Sequence, residues 1–299
     1  MTATTRVTST GGARLMLANL QTNYTALVEL QDHISSGKEL RRPSDSPSAT
    51  LNALEYRSQL RRSEQFERNT SDAQNWLNVA DSALTTSQTY LAKIRELSLQ
   101  GVNGATDSKG RTAVANEIRT IRDSLVQLGN TKYGNRAIFA GTNDTQNAYD
   151  SSGNYLGNTG SVVRPLAAGV DVQVNATGDQ VFGTASDPGG NLFTRLTQLA
   201  DDIANGNVDA AKSGIDLLDN SRDQISGVQA MLGARSNRVE DILVRNQDVT
   251  LEVKGLLSNT EDVDIAKALV DLKTQEMGYQ AALQVTAKVV QPSLLDFLR

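Results

Sequence analysis

The chain has 299 residues, with one His, one Trp, five Pro and no Cys; aromatics make up 4% and charged residues 21%. The lack of Cys excludes a disulfide framework and any Cys-containing zinc site, and a lone His33 excludes a multi-His metal centre. A net charge of −5 argues against a dedicated nucleic-acid binder, and a core with so few aromatics must be built from Leu, Ile, Val and Ala.

The first residues, MTATTRVTSTGGAR, are polar and contain no apolar run of signal-peptide length. No stretch approaches the roughly 18 consecutive apolar residues of a membrane span. A conventional secretory signal and a membrane partner are therefore not expected.

Between 15 and 36, Leu20, Leu27 and Ile34 interleave with Met16, Asn23 and Leu30 at alternating spacings of four and three, the pattern of one buried helix face. Gly37 is placed to end that helix. Arg41–Pro47 reads as a turn, and Ser46 before Pro47 restarts a helix with a cap and a first-turn proline. From 48 to about 100 the rows Leu77, Leu84, Leu91 and Ala73, Ala80, Ser87, Ile94 carry a long helix, broken at Gly101–Gly104. The next helix shows Val114, Ile118, Ile121, Leu125 and Leu128 on one face and closes at Gly129-Asn130.

Residues 141–190 differ in kind, with nine of the 23 glycines and many Asn, Thr, Ser and Asp. Val170, Val172 and Val174 alternate with Asp171 and Gln173, which predicts a half-buried strand. Helix returns near 191 with Leu192, Leu196, Leu199 and Ile203. A long seam follows through Ala211, Leu218, Ile225, Leu232, Val239, Ile242, Val249 and Leu256, with an interruption expected at Gly255. Ser258–Glu261 reads as a capping box, and Asp262 and Asp264 favour the first turn of a last helix. That helix presents Ile265, Leu269, Leu272, Tyr279, Leu283 and Val290, is stopped by Pro292, and leads to the tail Ser293–Arg299 with Leu294, Leu295, Phe297 and Leu298.

The fold class expected is mainly α with a small β-rich insertion. The N- and C-terminal segments form a long antiparallel helical bundle, with a β-containing domain in the middle. Charge sets the middle apart: residues 141–224 hold four Arg/Lys and 11 Asp/Glu, so the rest of the chain is net positive.

Chemistry candidates are few. His33 sits beside the seam residue Ile34 and reads as structural, since no partner for it recurs. Asp150–Tyr155 resembles a calcium loop superficially, but its sixth position is Tyr155 and its twelfth Ser161, so it is rejected. Ser35-Ser36-Gly37-Lys38 lacks the upstream glycine of a phosphate loop. The cluster Arg41, Arg42, Arg57, Arg61 and Arg62 reads as a solvated or subunit-facing surface. No catalytic residue, metal ligand or cofactor is expected. The apolar seams at both extremities, each diluted by polar residues, are weak alone and gain stability when a partner is supplied, which motivates a polymer subunit.

Four segments carry a resemblance. Ile34–Pro47 (ISSGKELRRPSDSP) resembles the ISSGKRI–x–x–PSDDP signature of bacterial flagellin-related proteins. Asn130–Gly141 (NTKYGNRAIFAG) resembles their NT–x–x–G–x–x–x–FAG segment, and Leu232–Glu240 (LGARSNRVE) their LGAR–x–NR–x–E segment. Ser293–Leu298 (SLLDFL) is similar to the ending of the branch found at the hook–filament junction. The turn Arg42–Ala49 also departs from that of flagellin proper.

The resemblance implies a non-catalytic, extracellular subunit of the flagellum. Export would run through the flagellar type III apparatus with no cleaved signal. It would form a ring with copies of itself, between the first hook-associated protein and flagellin, and would meet an export chaperone beforehand. The expected segments are an assembly helix at 1–40, disordered in the monomer; helical rod halves at 41–140 and 191–257; a β-rich outer domain at 141–190; and an assembly helix at 258–299, also disordered in the monomer. The assembly seams expected are Met16, Leu20, Leu27, Leu30 and Ile34 with Ile265, Leu269, Leu272, Tyr279, Leu283, Val290, Leu294, Leu295, Phe297 and Leu298. The alternatives are flagellin itself and, from another class, a cytoplasmic helical adaptor or enzyme.

Overall fold

The seams become helices. A computed structural model describes residues 9–143 and 147–290. Helix α1 spans Ser9–Ser36, α2 Pro47–Gly101 and α3 Ser108–Gly129. Two short ribbons follow, β1 (Lys132–Tyr133) with β2 (Arg136–Ala137), and β3 (Val163–Ala167) with β4 (Val170–Gln173). Helix α4 is a short piece at Gly178–Phe182; α5 spans Leu192–Asn205, α6 Val208–Glu261 and α7 Ile265–Val290. Both ribbons are antiparallel, and β3 pairs Val163 with Gln173 and Arg164 with Val172. The alternation read at 170–173 is therefore a strand, with Val172 buried and Asp171 exposed.

Local chemistry sets the boundaries. Ser46 Oγ accepts from the Ala49 N–H at 3.3 Å at the start of α2, as the Ser-Pro pair predicts. Asp107 caps α3 by accepting from Gly110 N at 2.8 Å, and Asn191 caps α5 by accepting from Thr194 N at 3.0 Å. The last cap differs from the sequence reading. Ser258 to Glu261 are not a capping box; they are the interior end of α6, which also runs through Gly255 unbroken. The cap of α7 is Asp264, whose Oδ1 accepts from Lys267 N at 3.1 Å.

The chain divides into two compact units. One holds residues 62–250 and the other residues 1–61 with 251–299. The 62–250 unit contains one continuous buried cluster. Leu84, Leu91 and Ile94 of α2 meet Ile118 and Leu125 of α3, Leu196 and Ile203 of α5, and Leu218, Ile225 and Leu232 of α6. Each such side chain, fully withdrawn from water, contributes about 1.5–3 kcal/mol.

The 141–190 stretch shares this cluster through Tyr149, Leu166, Val172 and Phe182. It is pinned to the helices by the Arg164–Asp72 ion pair at 2.9 Å and by Asn246 Nδ2 donating to Leu166 O at 2.8 Å. Aromatics are few but concentrated here. Tyr149 packs edge-on against Phe182 and Phe193 with ring centroids 5.6 and 4.9 Å apart, and Phe139 meets Phe182 at 5.7 Å. Burial pushes the Tyr149 phenol far up and the Tyr155 phenol up to about 12. Both hydroxyls stay protonated at neutral pH.

Among the described residues, the other unit has no such cluster. Its fully buried apolar side chains among the described residues are Ala53, Val253 and Ala268.

Candidate assembly interface

Helices α1 and α7 pack antiparallel. The end of α1 lies by the start of α7, where Val263 N donates to Gly37 O at 3.1 Å. Further along, Gln275 Nε2 donates to Asn23 O at 3.2 Å, and the Tyr24 and Tyr279 rings sit 5.9 Å apart.

On α1 the residues read as a seam, Met16, Leu20, Leu27, Leu30 and Ile34, are all half-buried. On α7 the seam splits. Leu272 and Tyr279 are half-buried, while Ile265, Leu269 and Leu283 are 46%, 51% and 45% exposed. The less exposed row of α7 is Ala268, Leu272, Gln275, Tyr279, Ala282 and Thr286, at spacings of four and three. On this side Leu272 and Tyr279 are interspersed with the small or polar Ala268, Gln275, Ala282 and Thr286, while Ile265, Leu269 and Leu283 face outward.

A second outward row on α1 was not singled out from sequence: Leu17, Tyr24 and Val28. Val270, Met277 and Val285 add to the outward apolar surface of α7. The signal that reveals them is that α7 carries aliphatic residues on more than one face. The side chain of Val290, and Leu294, Leu295, Phe297 and Leu298, lie outside the described residues.

A polar clasp closes the base of this pair. Gly37, at φ +69, occupies the left-handed region that favours glycine and turns the chain out of α1. Lys38 then pairs with Asp262 at 2.5 Å and with Glu261 at 3.4 Å. Arg57 Nε reaches Glu261 Oε1 at 2.8 Å, and its Nη2 reaches Oε2 at 3.0 Å, a two-pronged contact. The Glu261 side chain is only 3% exposed, yet both of its cations are partly in water. The Glu261 carbonyl also accepts from Glu39 N at 2.8 Å and Leu40 N at 3.3 Å.

The hydrogen bond to Asp262 raises the Lys38 pKa, and the same bond, helped by Ser258, lowers that of Asp262. Asp45 accepts from the backbone N–H of Arg42 and Arg41, which lowers its pKa and tightens the loop before Pro47. Arg41 pairs with Asp32. Arg41 and Arg57 of the arginine cluster are thus held by structural partners, and His33 is half-buried on α1.

Among the described residues, no group of three or more His, Cys, Asp or Glu side chains converges on a metal-sized site. Asp150 binds its own loop, accepting from Asn154 N and Nδ2 at 2.8 Å each. No described helix is long and apolar enough to cross a membrane.

Fold and interface together define a helical structural chain whose two ends pair and whose middle carries the core. The bacterial flagellin N-terminal helical region matches residues 9–144, and the bacterial flagellin C-terminal helical region matches 215–298. The chain belongs to the flagellin family. It is similar to flagellar hook-associated protein 3 of Salmonella typhimurium, 24% identical over 95% of this chain and 96% of that one. It is also similar to the flagellin of Bacillus subtilis, 24% identical over 95% of this chain and 96% of that one. The fold matches the flagellar junction protein FlgL from Legionella pneumophila with a TM-score of 0.56 and 17% identity, over 71% of this chain and 100% of that one.

Proposed function

We propose that this chain is a non-catalytic structural subunit of the bacterial flagellum, placed at the junction between the first hook-associated protein and the flagellin filament. The observation that carries the reading is the α1–α7 pair. Among its described residues this pair buries one apolar side chain, Ala268, and turns Leu17, Tyr24, Leu269 and Met277 to water, so it is unfinished as a core. Exposed apolar rows on paired helices are the surfaces at which such proteins meet partners.

In this reading copies of the chain form a ring, and α1 and α7 contact neighbouring subunits in the inner layer. The chain travels through the type III apparatus with an export chaperone and works outside the cell. The tail Ser293–Leu298, similar to the ending of the junction branch, supports the junction over the filament.

Similarity of the same extent to a flagellin favours a second reading, a filament subunit. Antibody labelling of sheared flagella separates them. The junction reading expects signal confined to the hook–filament boundary. Signal along the filament selects flagellin, and signal only inside the cell overturns both.

A further inference from the structure

The loop after α1 and the first turns of α2 enclose a groove of about 230 Å³ beside Glu261. Leu40, Pro43, Ala53 and Leu54 form its apolar wall, and Arg41, Arg42 and Arg57 its polar rim. Leu54 is 54% exposed. Arg57 is engaged by Glu261 and Arg41 by Asp32, whereas Arg42 is exposed and gives its backbone N–H to Asp45. An apolar cavity of about 150 Å³ accepts a benzene ring. The groove therefore has room for one aromatic side chain with a carboxylate next to it.

Asp296-Phe297, flanked by Leu294, Leu295 and Leu298, supplies that pair of groups. It cannot do so within one copy. Helix α7 starts beside the groove and runs 26 residues away from it, about 39 Å at ~1.5 Å per residue. The seven residues from Val290 to Phe297 span at most about 25 Å when fully extended. Only another copy of the chain can bring Phe297 to the groove.

We propose that the Leu294–Leu298 segment of one copy docks into the Leu40–Leu54 groove of a second copy, with Phe297 on the Pro43–Leu54 wall and Asp296 on Arg42. Such a contact is heterologous, head to tail, and propagates around a ring or along an axis. It rests on the reading of the chain as a self-associating subunit and not on where in the flagellum it sits.

The test is a fluorescent peptide of residues 288–299 titrated onto the full-length chain and followed by anisotropy. The expected result is saturable binding, weakened at least tenfold by Phe297→Ala in the peptide or Leu54→Asp in the chain. Arg42→Glu weakens it as well, and Asp296→Lys in the peptide restores it. Absence of saturation, unchanged binding by the Leu54→Asp chain, or amide-exchange protection at Leu17 and Leu269 in place of residues 40–57 overturns the proposal. A failed peptide leaves the junction reading intact, because labelling of sheared flagella tests that separately.

Discussion

Replacing Glu261 by Gln isolates the clasp. The substitution keeps the shape of the side chain and removes its charge. Removing one partner of a fully buried ion pair destabilises by about 3–5 kcal/mol. Here the carboxylate is 3% exposed, but Arg57 and Lys38 are 51% and 42% exposed and rehydrate when released. The penalty falls towards the range of lost charge-assisted hydrogen bonds, about 1–2 kcal/mol after allowing for solvent.

That energy acts locally, on the bonds Glu39 N and Leu40 N make to the Glu261 carbonyl and Val263 N makes to Gly37. Native-state amide exchange reads it directly. Exchange at Glu39, Leu40 and Val263 should accelerate about 5- to 30-fold, the factor that 1–2 kcal/mol implies. Amides of α3 such as Ile118 and Leu125 should not change. Pairing Glu261→Gln with Arg57→Met in a double-mutant cycle should return less than the sum of the single effects. Unchanged exchange at the clasp, or equal acceleration in α3, would refute the reasoning.

The same turn has a defined pH window. The Asp262 pKa is lowered from 3.8, so its contribution is present above that value and is lost as pH falls through the folded pKa. The Lys38 pKa is raised from 10.5, so its contribution is complete below that value and is lost as pH rises through the folded pKa. Protection of Val263, corrected for intrinsic exchange, should therefore hold between about 4 and 10 and drop on either side. In the 62–250 unit, Ile118→Ala should lower stability by about 2–5 kcal/mol and the melting temperature by about 5–15 °C, followed by circular dichroism. Gly141→Ala should also destabilise that unit by more than ~2 kcal/mol in denaturant melts. Its φ of +72 disfavours any Cβ, and the added carbon would collide with the Asn158 carbonyl.

Much of the fold is legible where one helix face dominates. Val114, Ile118 and Leu125 on α3, and Leu192, Leu196, Leu199 and Ile203 on α5, are apolar on one side only, and all of them are buried. The face of α7 was not legible for the opposite reason. Ile265, Leu269, Val270, Met277 and Val285 place aliphatics around the helix, so periodicity alone selects no side, and the side taken towards α1 mixes Leu272 and Tyr279 with the small or polar Ala268, Gln275, Ala282 and Thr286. The seam of α6 fades in the same way, with Val249 and Leu256 exposed.

The clasp was hidden by distance along the chain. Glu261 has its partners 223 and 204 residues away, and locally Ser258–Glu261 has the composition of a capping box. The aromatic cluster was missed because scarcity was read as absence. A handful of rings suffices when Tyr149, Phe182 and Phe193 are brought to one point.

The central claim is that the outward rows of α1 and α7 are surfaces for neighbouring subunits. Leu17→Asp combined with Leu269→Asp tests it, because both positions are more than half exposed in the isolated chain. Exposed substitutions of this kind change stability by about 0.5 kcal/mol or less. The account predicts an unchanged melting curve for the purified variant, together with loss of its incorporation into flagella. Normal incorporation of a variant with both charges in place would contradict it.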